Sequence, residues 1–268
     1  MNSTTSSLDQ NYGAIDAALC RATVYSALAL GFRAPTNESI ARLVEPENNK
    51  ALASAAAWID VGGEQNLAAI IDELASAGRA DVLTLDSSYR ALFGHSARGS
   101  VAPYETEYGN EALFQQPQEL GDLMGFYRAF GLTVNFNQRE RADHISCECE
   151  FMSFLSIKEA YAREHRDSAM LEDTLKAQKL FLRDHLGRFL PTFAQQLSRE
   201  DRAGFYTKLA ALCLRFASLE AQRLGIGLGA ANLPLRPAND DRVPMACGSG
   251  SECAAMPGAG MPEGADSV

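Results

Sequence analysis

Apolar residues recur every three or four positions along most of this chain, which is the spacing of an amphipathic α-helix. Residues 82–93, for example, place Val82, Leu85 and Tyr89 on one stripe. The pattern predicts about nine helices, over residues 12–32, 37–45, 49–60, 65–77, 82–93, 117–130, 143–165, 168–190 and 198–224. Only Thr133–Asn137 alternates like a strand, and because it has no obvious partner we expect an extended loop there. The predicted fold is therefore an all-α globule.

Residues with strong capping or breaking preferences predict where these helices begin and end. Asp143 and Ser168 are good N-terminal caps for the two long helices that follow them. Pro191 is expected to stop the second of these helices. Ser198 opens the last helix with the pattern of a capping box, and Gly225 ends it.

Composition divides the chain into three parts. We predict a flexible N-terminus over residues 1–11, one helical domain over residues 12–225 and a disordered tail over residues 226–268, which are rich in Gly, Pro and Ala. Within the helical domain, Gly94–Gln116 is a long connection without helical periodicity. Loops of this length in a compact domain are usually functional or disordered, and the aromatic residues of this one argue for order.

The overall charge limits the class of partner. The formal net charge is −10 and the pI is about 4.9, which argues against nucleic acids and anionic membrane surfaces as partners. The first ten residues do not resemble a signal peptide, and we expect no membrane span, because no apolar run approaches the required length of about 20 residues. We therefore expect a cytoplasmic protein whose six cysteines are reduced.

Two acidic motifs lie about forty residues apart. The first acidic motif is Pro103–Gly109, with the sequence PYETEYG, and the second is Glu140–His144, with the sequence ERADH. The stretch Gly99–Glu150 that contains both has nine acidic and three basic residues. That stretch therefore holds more than half of the net charge, and a field of this sign favours a positively charged partner.

Metal and cofactor sites find little support in the sequence. His144 and Cys147 share a helix face, but Cys149 points elsewhere and no second ligand cluster is evident. The Glu-x-x-His pairs of a di-iron bundle are absent. The glycines of Gly225–Gly229 follow a helix and lack a Walker lysine, so they indicate a helix end instead of a phosphate loop. We predict no metal and no cofactor.

Asp143 and His144 leave two other classes of function open. They could form an acid–base pair in a small helical enzyme or nucleotide-binding protein, although no nucleophile can be placed beside them from the sequence. The chain could also be a helical adaptor, in which case charge changes in the two acidic motifs would not affect partner binding.

Three ordered stretches resemble the TorD/DmsD family of all-helical chaperones for molybdoenzyme maturation. They are Pro103–Gly109, Gly125–Leu132 and Glu140–Met152. The resemblance is clear over Tyr89–Ala162, and it extends at the level of helix pattern over most of the helical domain. Thr106 stands where the family usually has Ser, and two cysteines of the third stretch replace polar and Leu-like residues.

The resemblance implies a binding protein and not an enzyme. Such a cytoplasmic chaperone binds the twin-arginine leader and the apo form of a molybdopterin oxidoreductase of the dimethyl-sulfoxide-reductase type. It holds this client for cofactor insertion before export or assembly, and it needs no cofactor of its own. The resemblance implies a monomer or weak dimer without stable membrane association.

Arginine recognition would use both acidic motifs. Glu105 and Glu107, on a loop expected to be exposed, and Asp143 could pair bidentately with the leader arginines. The family's Asp-His pair falls on Asp143 and His144 and implies a pocket floor, while aromatic residues would contact the leader's apolar segment. The predicted leader-binding residues are Tyr104, Glu105, Glu107, Tyr108, Phe126, Tyr127, Glu140, Asp143 and His144.

Overall fold

The computed structural model describes residues 3–94, 98–110, 115–133, 140–201 and 204–237. Its helices are α1 (Ser3–Gly31), α2 (Asn37–Val44), α3 (Pro46–Ile59), α4 (Leu67–Gly78), α5 (Val82–Phe93), α6 (Gln115–Ala129), α7 (Ile145–Glu164), α8 (Ser168–Asp184), α9 (Leu186–Glu200) and α10 (Phe205–Leu224). One 3₁₀ turn, Glu105–Glu107, lies between α5 and α6. The described residues contain no strand, so the all-α prediction is confirmed.

Helix α1 is longer than the periodicity predicted. It begins at Ser3 and so includes most of the segment predicted to be flexible. Its main partner is α7, where the Ser153 hydroxyl donates to the Ala22 carbonyl oxygen at 2.9 Å. Residues Asn11–Gly31 are long and apolar enough to span a membrane, although we expected no such segment from the sequence. Core helices can have the same length and hydropathy, and Tyr25 of α1 is fully buried in this fold.

The tenth helix arises where the periodicity predicted one continuous helix. The chain breaks at His185, which has φ −119° and ψ −100°, between α8 and α9. Pro191, predicted to stop a helix, lies inside α9 instead. Proline has no N–H to donate to the carbonyl four residues earlier, which belongs to Gly187. The backbone N–H of Gly229 donates to that Gly187 oxygen at 2.9 Å, so a contact distant in sequence satisfies the freed acceptor.

Several predicted helix ends shift by short distances. Ser198 lies inside α9, which ends at Glu200, so the predicted capping box is wrong. Helix α8 is capped by Asp167, whose carboxylate accepts from the backbone N–H of Met170 at 2.9 Å, one residue before the predicted cap. Gly225 ends α10 in the left-handed conformation, with φ 64°, as predicted.

The segment after α10 packs on the domain instead of leaving it. We call residues 226–236 the C-terminal strap. Within it, the Pro234 carbonyl oxygen accepts from the N–H of Gly109 at 2.8 Å, and the N–H of Arg236 donates to the Glu107 carbonyl oxygen at 2.8 Å. Arg236 is only 5% exposed. The compact unit therefore ends at Arg236 and not at residue 225, because backbone and guanidinium contacts offset the low apolar content of the strap.

Two predictions concern residues outside the described ranges. One is the disordered tail beyond the strap, residues 238–268, which includes Cys247 and Cys253. The other is most of the extended loop predicted for Thr133–Asn137.

Candidate functional site

The two acidic motifs meet at the N-terminal end of α7. Tyr104 and His144 form an isolated antiparallel bridge, and the N–H of Glu105 donates to the Asp143 carbonyl oxygen at 2.9 Å. The 3₁₀ turn of the first motif therefore lies directly beside the second motif. The fold brings together two segments that are about forty residues apart in sequence.

Asp143 joins the two motifs through its carboxylate and is fully buried. The carboxylate accepts from the backbone N–H and the hydroxyl of Thr106, at 3.3 and 2.7 Å. It also accepts from Nε and Nη2 of Arg141, at 3.0 and 2.8 Å, in a bidentate pair. Because these contacts turn the carboxylate toward the first motif, Asp143 does not cap α7, and that prediction is wrong.

His144 caps α7 in place of Asp143. Its Nδ1 accepts from the backbone N–H of Ser146 at 3.2 Å and lies 2.7 Å from the Ser146 hydroxyl oxygen. Burial, with smaller contributions from Arg33 and Arg141, lowers the pKa of His144 to about 3. The ring is therefore neutral at pH 7. Because Nδ1 accepts a hydrogen bond, the ring proton resides on Nε2.

Glu105 is buried and already paired, which contradicts its predicted exposure. It is 1% exposed. Its carboxylate accepts from Nη2 and Nε of Arg188 at 3.0 and 3.2 Å and lies 3.1 Å from Nδ1 of His185. Another cation could pair with this carboxylate only by displacing Arg188.

Arginines from other parts of the fold neutralise most of the acidic cluster. The ion pairs are Glu105 with Arg188, Glu107 with Arg98, Glu119 with Arg236, and Asp143 with Arg141. Arg98, Arg188 and Arg236 lie outside the stretch whose charge excess was counted along the sequence. The excess of acidic residues in Gly99–Glu150 therefore overstates the negative field at the site, because arginines from distant parts of the sequence pair with these acids in the folded chain.

Glu148 is a further buried acid near the two motifs. Nothing in the sequence indicates its burial, and there it counts only toward the acidic excess of Gly99–Glu150. It is fully buried, and neither side-chain oxygen has a hydrogen-bond partner among the described residues. Burial raises the pKa of Glu148 well above its ordinary value, and the neighbouring Glu105 and Asp143 raise it further. Burial and these two neighbours therefore favour the neutral form of Glu148.

The predicted aromatic residues divide into core and surface groups. Tyr108 and Tyr127 are buried, and their hydroxyls donate to the carbonyl oxygens of Ala102 and Ala142 at 2.7 and 2.9 Å. These two tyrosines support the loops and do not offer a contact surface, so that part of the prediction is wrong. Phe126 is half-buried, and its ring centroid lies 5.5 Å from that of Phe181 and 5.2 Å from that of His185.

Tyr104 is half-buried and presents its ring to a cation. The guanidinium carbon of Arg141 lies 4.3 Å from the ring centroid, and the His144 ring meets the Tyr104 ring edge-on at 5.3 Å. The Arg141 side chain is 47% exposed. Arg141 thus occupies both the face of the Tyr104 ring and the Asp143 carboxylate at the exposed edge of the site.

Glu140 is the acid of the second motif that forms no ion pair with a Lys or Arg of the described residues. Its only ion-pair contact among the described residues is with Nε2 of His144, at 3.8 Å, and that histidine is neutral at pH 7. Burial raises the pKa of Glu140, and Arg33 opposes this shift. Glu140 is therefore a half-buried carboxylate that can accept a guanidinium group.

An apolar groove begins beside these residues and was not apparent from the sequence. It has a volume of about 920 Å³ and runs between α1, α2, α3 and α7. Leu19, Leu30 and Phe154 are among its lining residues. Arg33, paired with Glu150 at 2.5 Å, also lines it. Arg33 acts electrostatically on both His144 and Glu140, so this end of the groove adjoins the second acidic motif.

The cysteines near the site do not form a ligand set. Cys147 and Cys149 are free thiols, and burial raises the pKa of Cys147 to about 11. Cys149 is fully buried, and burial also raises its pKa. In the described part of the chain, no three His, Cys, Asp or Glu side chains are grouped so that they could hold a metal ion.

Comparison with known proteins identifies related sequences. A family model described as nitrate reductase delta subunit matches residues 58–195. The chaperone protein TorD of Vibrio cholerae serotype O1 (strain ATCC 39315) is 33% identical over 136 residues, which cover 50% of this chain and 59% of that protein. TorD of Photobacterium profundum is 30% identical over 139 residues, covering 52% and 63%. The chain thus spans about 59% of the length of the Vibrio cholerae relative.

A further relative matches more of both chains. The perchlorate reductase assembly chaperone protein of Dechloromonas aromatica (strain RCB) is 28% identical over 221 residues. That alignment covers 78% of this chain and 92% of the relative. All three relatives are named as chaperones, and none is named as an enzyme.

Proposed function

The chain belongs to the nitrate reductase delta subunit family, which includes the TorD chaperones, and from this we propose a chaperone function in redox-enzyme maturation. Its client is the catalytic subunit of a molybdopterin oxidoreductase of the dimethyl-sulfoxide-reductase type. In the cytoplasm, the chaperone binds the client's twin-arginine leader and apo form, and it holds the client for cofactor insertion before export or assembly. The perchlorate reductase assembly chaperone, which aligns over 78% of this chain, supports a reductase as the client.

The environment of Arg141 supports arginine recognition at the mouth of the site. Asp143 holds its guanidinium bidentately, and Tyr104 supplies an aromatic face at 4.3 Å. Both contacts favour arginine over lysine, because only the planar guanidinium can pair bidentately and stack on the ring. Because the Arg141 side chain is 47% exposed, a leader arginine can exchange with it without opening the core.

Glu140 supplies the place for a second arginine, and its open carboxylate is the observation that carries the leader-binding proposal. Among the described residues it has no Lys or Arg partner, and the adjacent His144 is neutral. An arriving guanidinium would therefore gain a charge-assisted hydrogen bond without first breaking an ion pair. Two neighbouring places, one at Asp143 and Tyr104 and one at Glu140, match a pair of adjacent arginines.

The groove suits the apolar segment that follows the arginines in such a leader. Its α1 wall runs from Leu19 to Leu30, which at 1.5 Å per residue is roughly 17 Å, or the length of about 11 residues of helix. Leu19 is 45% exposed and Ile157 of α7 is 52% exposed, so each would bury apolar surface when a helix occupied the groove. Arg33 lies where this groove approaches Glu140, so one peptide could occupy both.

The enzyme alternative loses its geometric basis. Asp143 is buried and engaged with Arg141, and His144 is buried with a pKa near 3. A general base must reach its substrate and bind a proton near the working pH. The pair with Arg141 closes off the Asp143 carboxylate, and the lowered pKa of His144 keeps its ring from binding a proton there. The adaptor alternative differs in its prediction, because it requires that Glu140 be irrelevant to binding.

Calorimetric titration with a synthetic leader peptide tests the proposal. Wild-type protein should bind a peptide with two adjacent arginines, and Glu140→Gln should weaken binding about tenfold, as expected for one charge-assisted hydrogen bond. Replacing the two arginines with lysines should weaken binding to the wild type. That replacement should cost less in Glu140→Gln, because the two changes remove the same contact.

Glu64→Gln is the matched control, since Glu64 is an exposed acid in the α3–α4 connection and carries the same charge change. It should bind like the wild type. Equal affinities for the wild type, Glu140→Gln and Glu64→Gln would exclude Glu140 from the leader site. If the protein binds the folded client but not the leader peptide, the chaperone function stands and the leader proposal fails. The client would then be recognised at another surface.

A further inference from the structure

A second charged site lies near the C-terminal end of α7, on a different set of helices. Its centre is Glu159, which is 1% exposed. Its carboxylate accepts from Arg21 at 2.6 Å, from Arg163 at 2.9 Å and from the Gln178 amide at 3.0 Å. Glu159 follows Ile145, the first residue of α7, by 14 positions, which is roughly 21 Å along the helix from the two acidic motifs.

Three arginines meet two buried carboxylates at this site. Glu220, also 1% exposed, pairs with Arg223 at 2.8 Å, and Nε of Arg21 lies 3.7 Å from it. Arg21, Arg163 and Arg223 therefore share the two carboxylates of Glu159 and Glu220. Arg21 is 5% exposed, and its Nε has no hydrogen-bond partner among the described residues. The side chains of Arg163 and Arg223 are 22% and 28% exposed, so the excess of arginines over carboxylates at this site is accessible to solvent.

A cavity of about 630 Å³ opens above these arginines. Lys176 and Lys179, one helical turn apart on α8, line its rim, and neither makes an ion pair within the described part of the chain. One acidic residue, Glu172, also lies on this rim. Ala14, Ala17, Leu175 and Leu224 complete the wall. In a chain with a net charge of −10, this is a local concentration of positive charge around a concave surface.

We propose that this cavity binds a small anion that carries a phosphate or diphosphate group. Guanidinium groups present paired donors to phosphate oxygens, and the two lysines add point charges at the rim. The volume lies within the range of small-ligand pockets, and the apolar wall can hold an organic group attached to the phosphate. The site shares no residue with the leader site, so it does not depend on the proposed leader binding.

Calorimetric titration of the full chain with inorganic pyrophosphate, at low ionic strength, tests this site. Wild-type protein should bind about one equivalent with a dissociation constant near or below about 1 mM. The double variant Lys176→Gln/Lys179→Gln should bind at least about tenfold more weakly, because two rim charges are removed. Both lysines are exposed, so circular dichroism should show an unchanged fold.

The double variant Lys50→Gln/Arg79→Gln carries the same charge change on two exposed residues elsewhere, and it should bind pyrophosphate like the wild type. Titration with phenyl phosphate distinguishes an organic phosphate ligand from an inorganic one. Binding of both probes indicates an organic phosphate, and binding of pyrophosphate alone indicates an inorganic one. Absence of binding by both probes, or equal binding by all three proteins, would overturn the proposal. Leader affinity should be the same in the wild type and the lysine variant.

Discussion

Asp143→Asn should destabilise the fold before it affects any partner. The carboxylate is fully buried and accepts four hydrogen bonds, two from Arg141 and two from Thr106. An asparagine keeps one oxygen and turns its NH₂ group toward donors, so about two charge-assisted bonds are lost. Arg141 is 47% exposed, and water can solvate its released charge. The net cost should therefore be about 2 kcal/mol instead of the larger penalty of a broken buried pair.

Thermal unfolding measures this cost directly. For a unit of this size, about 2 kcal/mol corresponds to a fall in the unfolding midpoint of about 4–8 °C. Glu140→Gln removes a charge three residues away without breaking an ion pair to any Arg or Lys that the structure describes, and its midpoint should stay close to that of the wild type. An Asp143→Asn protein as stable as the wild type would refute the inference that this carboxylate joins the two motifs. Its leader affinity should be interpreted only at temperatures where it is folded.

Three other outcomes follow from the structure. Truncation after Pro237 should leave the thermal midpoint unchanged. Truncation after Gly229 should lower the midpoint, because it removes the hydrogen bonds that Arg236 donates to the first acidic motif. Equal midpoints for the two truncations would mean that the strap does not stabilise the domain. In urea titrations, Glu148→Gln should raise the free energy of unfolding more at pH 8 than at pH 4. The reason is that the pKa of Glu148 is raised in the folded state, so keeping this side chain buried costs more free energy as the pH rises. A lower free energy of unfolding at pH 8 would contradict this. Since the pKa of His144 is lowered to about 3 from about 6.5 when unfolded, its contribution to stability should be lost as pH falls from 6.5 towards 3, and His144→Gln should flatten that part of the pH profile.

Local patterns were enough to predict the helical class and several boundaries. Helical periodicity depends on neighbours three and four residues apart, so it is visible in the sequence, and Gly225 ends α10 because only a local backbone preference is involved. The acidic motifs were also visible, because their residue types lie close together in the chain. The same motifs carried the resemblance to the family that the comparisons then supported.

The tertiary structure alone decided which charges and aromatic rings remain available to a partner. Arg188 neutralises Glu105 from 83 residues away, and Tyr108 and Tyr127 turn inward because their hydroxyls find carbonyl oxygens in the core. Pro191 is tolerated inside α9 because Gly229 supplies the missing donor from the strap. Each of these outcomes depends on contacts between residues distant in sequence. Burial and ion pairing are properties of packed elements, so neither the open carboxylate of Glu140 nor the apolar groove could be identified before the helices were placed.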